Sequence, residues 1–283
     1  MHIIGASGRS GLALCRAIIA NGGTIVPVVR DPARWAATGL VLEPRVADLR
    51  DPASLRAALR DASIVVSIAH ARHVPAIIDA APPNARLVLL GSTRKFTRWP
   101  DEHAKGVLVG EQVFLASGRA GVMLHPTMIY GAQGEDNVQR LAALMRRLPL
   151  LPLPAGGSAL VQPIYQGDVT RSLRAAAARD WDGPHAFIIA GPVPLRYAEF
   201  VRAVAAAAGL RTPWIVPVPA SPLITAAALN RALPFLPRIH PDEVRRLTED
   251  KAFDIGSMRS VLGIDPIPLA EGLARTFGSP HNT

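Results

Sequence analysis

The chain has 283 residues, of which 49% are hydrophobic and 19% are charged. This length and composition exclude a disordered chain and predict one large folded domain, or one domain with an elaboration. The single cysteine, Cys15, excludes an internal disulfide and leaves a cysteine–histidine zinc site almost without ligands. Since a reducing compartment fits this cysteine usage, we predict a cytoplasmic protein.

The net charge is +9, from 31 basic and 22 acidic residues, and the only lysines are Lys95, Lys105 and Lys251. Arginine favours forked contacts to phosphate or carboxylate groups. The basic residues are spread along the chain without a basic block, and only 5% of residues are aromatic. We therefore predict anionic ligands or partners, a small-molecule substrate included, and no nucleic-acid binding.

No membrane-spanning or secretory segment is predicted. The start of the chain, Met1 to Gly5, lacks the charged and then apolar pattern of a secretory signal. The longest uncharged stretches, Leu148 to Gly167 and Thr212 to Asn230, are interrupted by prolines. A spanning helix needs about 20 apolar residues that hold helical geometry, so neither stretch qualifies.

The first half of the chain alternates short apolar strands with helices. The predicted strands lie at 3–4, 24–29, 41–46, 63–69, 86–90 and 122–124. The predicted helices lie at 12–20, from 31, from 51, at 74–80 and at 104–117. This alternation predicts βαβ units, whose right-handed crossovers build an α/β fold with a Rossmann-type, doubly wound parallel sheet.

After about residue 130 the pattern loosens and prolines become frequent. Helices are predicted at 137–147, 168–179, 197–208, 242–249 and 269–277, with strands at 160–163 and 186–190. We interpret residues 1–130 as a dinucleotide-binding core. Residues 131–283 are predicted to form a smaller, substrate-side C-terminal elaboration packed on the same domain.

A glycine-rich turn joins the first strand to the first helix. Gly5, Gly8 and Gly11 are spaced three residues apart, with Ser7 and Arg9 between them. Glycines at such a turn allow a tight bend, a close approach of backbone to pyrophosphate, and close packing of helix on sheet. The helix N-terminus then binds the anion. The turn predicts a nucleotide cofactor, and the alternative is a glycine-rich turn without a ligand.

The Gly-x-x-Gly-x-x-Gly spacing, with Asp48-Leu49-x-Asp51 after the third strand, resembles the extended and atypical short-chain dehydrogenase/reductase superfamily. Segments resembling its later conserved blocks are 126–131, 163–169 and 253–273. The resemblance is greatest to NmrA-like proteins and to the reductase-like accessory subunit of respiratory complex I. It implies that Asp48 and Leu49 flank the adenine. We add Ala69, at the end of the fourth strand, and Pro126 to the predicted cofactor-binding residues.

The end of the second strand favours NADP(H) over NAD(H). An NAD site usually has an acidic residue there, which binds the ribose 2′-hydroxyl. This chain has Arg30 instead, and Arg9 lies in the glycine turn, so two guanidinium groups are available for a 2′-phosphate. Two alternatives stay open. Asp31 could take the hydroxyl role after a shift of one residue, and Arg30 could be a solvated charge at a strand end.

The Tyr-x-x-x-Lys pair that the superfamily uses for proton transfer is missing. Counting back from Glu111, which resembles an acid late in the same helix, the two positions of the pair are His103 and Val107. Weaker candidates remain for catalysis. Ser92 and Thr93 follow strand five and could orient a carbonyl, whereas His103 and Lys105 could act on a proton. The alternatives are a strand-end turn for Ser92 and a surface residue for His103.

Two further features near strands five and six have structural alternatives. We interpret His125 as a hydrogen-bonded strand-end histidine. Arg94, Lys95 and Arg98 form a basic segment that could bind an anionic substrate or an acidic partner, or could be a solvated loop.

These observations predict an atypical NADP-dependent reductase, with the proton supplied by solvent or by an acid other than tyrosine. The alternative is a non-catalytic NAD(P)H-binding sensor, assembly factor or structural protein. A sugar-nucleotide epimerase is less favoured, because its chemistry also uses the missing tyrosine. The apolar segment Pro219 to Pro237 is interpreted as a cover over the active site, and the alternative is peripheral binding to a membrane or a protein partner.

Overall fold

The computed structural model describes residues 1–132, 137–229 and 241–278. Its strands are β1 (His2–Ile4), β2 (Val26–Val29), β3 (Arg45–Val46), β4 (Ile64–Ser67), β5 (Arg86–Leu90), β6 (Gly121–Pro126), β7 (Ile129–Tyr130), β8 (Leu150–Pro154), β9 (Leu160–Val161), β10 (Ile164–Tyr165), β11 (Pro184–Ile189), β12 (Leu195–Arg196) and β13 (Trp214–Val218). Its helices are α1 (Arg9–Ala20), α2 (Pro32–Ala36), α3 (Pro52–Leu59), α4 (Val74–Ala80), α5 (Glu102–Ala116), α6 (Asn137–Arg147), α7 (Gln166–Ala178), α8 (Tyr197–Ala207), α9 (Ala220–Leu229), α10 (Pro241–Arg246), α11 (Gly256–Leu262) and α12 (Leu269–Phe277).

The centre of the molecule is a seven-stranded sheet in the order β11-β6-β5-β4-β1-β2-β3. Every pairing in it is parallel. The chain builds outward from β1 to β3 and then returns to place β4 beside β1. This reversal opens a crevice at the carboxyl ends of β1 and β4, which is where doubly wound sheets bind ligands. The predicted Rossmann-type fold is confirmed.

Apolar side chains cover both faces of the sheet. On one face Leu14 of α1, Leu173 of α7 and Met258 of α11 lie in one buried cluster. On the other face Leu55 of α3 and Phe114 of α5 lie in a second cluster. Strands with both faces buried read as continuous apolar runs, which is why the sequence shows no alternation within them.

The C-terminal half contributes directly to the sheet. Strand β11 pairs with β6 along its whole length, and α7 packs against α1. A third, smaller core joins α6, α8 and β8. The domain boundary at residue 130 stays a prediction from composition. Strand β11 and helix α7 lie beyond that residue, yet they complete the central sheet and the helix layer that covers it.

Most predicted elements lie where the pattern indicates, and four have the predicted bounds: β5, α4, α6 and α12. Helix α10 ends at Arg246, earlier than residue 249, since the chain then turns and Glu249 binds another segment. The pair β8 and β13 was not predicted, because both strands contain prolines. Proline removes a ladder donor, and a two-stranded edge sheet tolerates it.

Across residues 1–132, 137–229 and 241–278, no helix combines the length and the apolar character needed to cross a bilayer. Within the apolar segment Pro219 to Pro237, the structure describes α9 as far as Leu229. The rest of the predicted cover, residues 230–237, lies outside the described residues.

Candidate functional site

The backbone and packing of the glycine turn would be strained if residues other than glycine replaced Gly5 and Gly11. Gly5 follows β1 with φ of +78°, in the left-handed region that glycine tolerates. Gly11 lies in the first turn of α1 directly against the turn, so that an added Cβ would come 2.1 Å from the carbonyl oxygen of Gly5. The turn therefore requires glycine at both positions, and it brings the start of α1 close to the end of β1.

The N-terminus of α1 is suited to bind an anion. Gly8 is its N-cap, has no side chain with which to cap the helix, and no acidic residue lies in the first turn. The first amide groups of a helix have no partner within the helix, and the helix dipole adds positive potential there. A pyrophosphate group at this position would accept hydrogen bonds from the free amides and would be stabilised by the helix dipole.

A cleft of about 760 Å³ begins at this turn and runs along the carboxyl ends of β1, β2, β4 and β5. Eight of the predicted cofactor residues line it, namely Gly5, Ser7, Gly8, Arg9, Arg30, Asp48, Leu49 and Ala69. Gly11 and Pro126 are outside the lining. Gly11 acts through the backbone packing described above, and Pro126 ends the neighbouring strand β6.

The β2 end of the cleft is rich in arginine. Besides Arg9 and Arg30, the side chains of Arg34, Arg50 and Arg72 line it. Arg50 binds the carboxylate of Asp48 at 2.9 Å. The hydrogen bonds from Arg50 hold the pKa of Asp48 at about 2. Sequence reasoning missed these three arginines, although Arg34 follows Arg30 by one helical turn.

Asp31 serves the structure of α2. Its Oδ1 atom accepts hydrogen bonds from the backbone amides of Ala33 at 3.0 Å and Arg34 at 3.1 Å. Asp31 is thus the N-cap of a helix that begins with Pro32. The cap holds this carboxylate toward the helix start.

Ser92 and Thr93 lie at the end of β5, where both hydroxyl groups make local hydrogen bonds. Ser92 Oγ accepts from the amide of Arg94 at 3.1 Å and caps a short 3-10 turn. The hydroxyl of Thr93 is buried and donates to the carbonyl oxygen of Pro126 at 3.2 Å. The Thr93 bond joins the ends of β5 and β6, and the proposed orienting roles of the two hydroxyls stay predictions.

A buried group of three side chains lies beneath this junction. The Lys95 ammonium contacts Glu111 Oε2 at 2.6 Å, and His125 Nε2 lies 3.1 Å from Glu111 Oε1. The amide of Ser92 donates to His125 Nδ1 at 3.2 Å, so the neutral ring carries its proton on Nε2 and donates to Glu111. His125 is the hydrogen-bonded strand-end residue that the sequence indicates.

Burial alone would raise the pKa of Glu111, but the hydrogen bonds from His125 and Lys95, together with the ammonium charge of Lys95, lower it to about 2. The side chains of Lys95 and Glu111 are only 11% and 13% exposed. This ion pair is therefore charged, shielded from solvent and fixed in place. It anchors the segment that follows β5.

His103 lies in the first turn of α5, at the position that the resemblance assigns to the missing tyrosine. Its ring meets that of His70 edge to face, with centroids 4.1 Å apart. The close approach arises because Gly106 and Gly110 bring α5 against the 3-10 turn at Ala71–His73. Val107, at the missing lysine's position, is 1% exposed and belongs to the apolar core.

Both histidines are neutral near pH 7. Burial, reinforced by the charges of His103 and Arg72, lowers the pKa of His70 to about 4. Burial and the charge of Arg94 also lower the pKa of His103. Lys105 does not join the two histidines. Its ammonium lies on the exposed side of α5, where it pairs with Glu102 at 3.0 Å.

The basic segment after β5 is held by acidic residues from other elements. The guanidinium of Arg94 pairs with Asp101, and Lys95 pairs with Glu111 as described. Glu249 binds the hydroxyl of Thr97 at 2.8 Å and the amide of Arg98 at 2.6 Å. Two of the three basic side chains are therefore paired within the protein, and Arg98 is exposed.

Among the described residues, three buried donors around His103 make no hydrogen bond: His70 Nε2, Arg94 Nε and Arg246 Nη1, the last of which lies 3.9 Å from Asp101 Oδ2. Arg94 and Arg246 both act electrostatically on His103. A buried donor without an acceptor is costly, so such a group marks a place where a ligand oxygen or water binds. No pattern in the sequence indicates this group, since Arg246 lies far along the chain from His103. Within the described residues, no cluster of histidine, cysteine or acidic side chains is arranged to hold a metal ion.

Comparison with known proteins agrees with this geometry. Residues 5–109 match a family model described as NAD(P)H-binding. The N-terminal part of this chain is thus similar to NAD(P)H-binding domains. The fold is the one that the resemblance to the atypical short-chain dehydrogenase/reductase superfamily implies. No curated protein sequence matches the chain significantly.

Solved structures share the fold over the full length. An NADPH-dependent quinone oxidoreductase from Escherichia coli, solved with NADPH, is 18% identical with a TM-score of 0.75, and covers 98% of this chain and 99% of its own. A UDP-glucose 4-epimerase from Thermus thermophilus, solved with NAD, is 16% identical with a TM-score of 0.70, over 98% of each chain. A UDP-N-acetylglucosamine 4-epimerase from Bacillus cereus is 14% identical with a TM-score of 0.69, over 100% and 98%. These likenesses show a common fold, within which different reactions occur.

Proposed function

We propose that the protein is an NADP-dependent reductase of an electron-poor, conjugated acceptor such as a quinone or an enone. The observation that carries the proposal is the arginine-rich β2 end of a cleft that begins at an uncapped helix N-terminus. Phosphate groups at both places would meet guanidinium groups and free amides. The quinone class is suggested by the oxidoreductase that shares the fold.

The choice of NADP over NAD rests on Arg30, Arg34 and Asp31. Both arginines line the cleft beside Asp48, and neither makes a hydrogen bond or an ion pair through its guanidinium among the described residues. Asp31 would be the competing group for a ribose hydroxyl, but it is engaged as the cap of α2. A 2′-phosphate therefore has guanidinium donors available, whereas the cap directs Oδ1 of Asp31 toward the start of α2.

The choice of a conjugated acceptor rests on the proton donors that this chain lacks. NADPH, when bound, supplies a hydride, and the acceptor must also gain one proton to complete its reduction. A neutral His103 and a buried Val107 replace the usual pair, so this chain has no strong acid at that position. A quinone or an enone forms a delocalised, weakly basic anion on reduction and can take its proton from solvent.

The unpartnered donors around His103 support the same acceptor class. His70 Nε2, Arg94 Nε and Arg246 Nη1 are buried N–H groups that make no hydrogen bond among the described residues. Preformed donors stabilise negative charge as it develops on an oxygen, and do so most strongly away from water. A substrate whose oxygen becomes anionic during reduction would use them.

Calorimetric titration with NADPH and NADH tests the cofactor. We expect the wild type to prefer NADPH. Because a charge-assisted hydrogen bond contributes about 1.5–3 kcal/mol, Arg30→Ala should weaken NADPH binding by roughly tenfold or more and leave NADH almost unchanged. Arg202→Ala is the matched control, because Arg202 is exposed on α8 and lines neither cavity. Equal affinity of the wild type for both cofactors would contradict the proposal.

Oxidation of NADPH by a quinone, a cyclic enone and a simple ketone tests the reaction. A general acid contributes about 10²–10⁴-fold, so ketone reduction should be slower than quinone reduction by about 100-fold. His103→Ala and Lys105→Ala are measured alongside. Fast ketone turnover unaffected by either variant would show that another residue is the proton donor and would contradict the assignment of the acceptor.

The second candidate is a non-catalytic NADPH-binding protein. It is favoured by the apolar residue at the lysine position and by the internal pairing of Arg94 and Lys95. The same experiments separate the two candidates. Tight NADPH binding without turnover of any acceptor class would favour the sensor or structural protein.

A further inference from the structure

A second cavity of about 810 Å³ adjoins the cofactor cleft. It lies between α1, α7 and α12, and its lining includes Leu12, Gln166 and Arg275. The two cavities share the residues of the glycine turn, Ser7 to Arg9, and the side chain of Arg34. The reaction proposed above makes no use of this second cavity.

The second cavity is basic, and one of its arginines, Arg275, pairs with Glu271 of the same helix at 2.5 Å. Five arginines line it, namely Arg9, Arg34, Arg171, Arg174 and Arg275, and Asp168 is the one acidic residue among the described lining. The charge of Asp168 is already satisfied, because Arg171 pairs with it and the amide of Ile267 donates to it at 3.0 Å. The guanidinium groups of Arg34 and Arg174 make no hydrogen bond or ion pair among the described residues.

Two helices begin at the wall of this cavity. Gly8 at the start of α1 and Tyr165 at the start of α7 are both N-caps that provide no side-chain hydrogen bond. Each helix is longer than ten residues, with 12 in α1 and 13 in α7. Their N-terminal amides and dipoles add positive potential to that of the arginines. Side chains of the two helices are also joined directly, since the hydroxyl of Ser10 donates to Gln166 Oε1 at 3.2 Å.

Part of the remaining lining is apolar. Leu12, Ala13, Ala17 and Ile267 form one wall, and the ring of Tyr165 lies beside them under the guanidinium of Arg275 at 5.9 Å. A small inorganic anion would leave this wall exposed to water. A ligand that carries phosphate on an organic group would fill both parts of the cavity.

We propose that this second cavity binds a phosphate-bearing organic molecule, separate from the cofactor. Forked guanidinium groups bind phosphate oxygens in pairs, and two uncapped helices add amide donors to the same place. Because Arg9 and Arg34 face both cavities, occupation of the second cavity should weaken NADPH binding, and NADPH should weaken the second ligand equally. The inference is independent of the reaction proposed above.

Calorimetric titration with inorganic pyrophosphate tests the second cavity. The wild type is first saturated with NADPH, so that the cofactor cleft is filled. We expect one bound pyrophosphate per chain. Arg174→Ala should weaken it by about tenfold, since Arg174 lines only the second cavity. Arg202→Ala removes the same charge from an exposed position outside both cavities and should change the affinity less than twofold.

A second titration, on the cofactor-free protein, keeps the test independent of NADPH binding. Arg174→Ala should remove one class of pyrophosphate site, and Arg30→Ala, which lines only the cofactor cleft, should spare that class. Vesicles containing phosphatidic acid form a further arm. Vesicle binding lost in Arg174→Ala would assign the phosphate to a lipid headgroup, and pyrophosphate binding without vesicle binding would assign it to a free molecule.

Two results would overturn the proposal. One is the absence of any pyrophosphate site that Arg174→Ala weakens in either titration. The other is an equal loss in Arg174→Ala and Arg202→Ala, which would show a general effect of net charge. Thermal unfolding of each variant confirms that a loss of binding arises at the site and not from misfolding.

Discussion

The two ends of the candidate site differ in how they are built. At the cofactor end, backbone conformation and exposed arginines within the first 72 residues form an open cleft. At the other end, buried ion pairs and two histidines join α5 to the strand ends and to residues near 249. The comparison teaches that the proposed cofactor site is built from residues close together in sequence and from the charges of its arginines. The proposed reaction site is built instead from side chains that only tertiary packing brings together.

The largest expected effect is the loss of unfolding free energy when a buried ion pair is broken, compared with the loss when an exposed pair is broken. Lys95→Met leaves the carboxylate of Glu111 buried without its ammonium partner, so it should lower the free energy of unfolding by about 3–5 kcal/mol. Lys105→Met removes an exposed pair with Glu102 and should cost about 0–1 kcal/mol. Urea unfolding of both variants measures the difference. Equal losses would show that the buried Lys95–Glu111 pair does not hold the segment after β5 in place.

Acid titration sharpens the same comparison. The pKa of Glu111 is about 2 in the folded protein against an ordinary value of 4.5. Because the folded value is the lower one, the stabilisation is fully present above about pH 5 and is lost as the pH falls toward 2. It amounts to about 3 kcal/mol.

Glu111→Gln should therefore flatten the dependence of unfolding free energy on pH between about pH 5 and pH 2. The exposed Glu102→Gln is the control and should keep the dependence of the wild type. An unchanged slope in Glu111→Gln would mean that this carboxylate is not held ionised by Lys95 and His125.

The glycine turn tests the cofactor end. Gly11→Ala places a Cβ 2.1 Å from the carbonyl oxygen of Gly5, so α1 must move away from β1. Overpacking of this kind costs about 1–3 kcal/mol, and NADPH binding should fall with it. Gly183→Ala, where an added Cβ has no neighbour within 4 Å, should alter neither property. Thermal unfolding and cofactor titration report the two effects, and normal NADPH binding in Gly11→Ala would refute the tight approach of helix and strand.

The smallest expected effect concerns Asp31. Removal of its two capping hydrogen bonds by Asp31→Ala should destabilise the protein by about 1 kcal/mol. NADH binding should stay as it is, because the carboxylate caps α2 and does not hold the ribose. A loss of NADH affinity with unchanged stability would instead assign Asp31 the hydroxyl role.

The sequence predicts much of the cofactor end because its determinants are local. Gly5, Gly8 and Gly11 fall within seven residues, and their spacing fixes the turn without help from the rest of the chain. Arg30 and Asp48 follow strands whose apolar runs are visible in the sequence. In a parallel sheet the carboxyl ends of such strands share one edge, so the cleft follows from the order of elements.

The other end of the candidate site, around α5 and the ends of β5 and β6, could not be predicted in this way. No periodicity in the sequence relates Lys95, Glu111 and His125. Three separate elements place these side chains within hydrogen-bond distance, and burial then decides their ionisation. Arg246 and Glu249 reach the same region from beyond residue 240. The second cavity is likewise formed only when α7 and α12 pack beside α1.

The sequence by itself determined the order of strands and helices, the glycine turn and the basic character of the chain, because backbone propensity, apolar periodicity and net charge act over short stretches. Only the tertiary structure decided that His103 meets His70 and that Lys95, Glu111 and His125 come together. The physical reason is that hydrogen bonding, burial and pKa depend on neighbours in space. Packing chooses those neighbours after the local elements have formed.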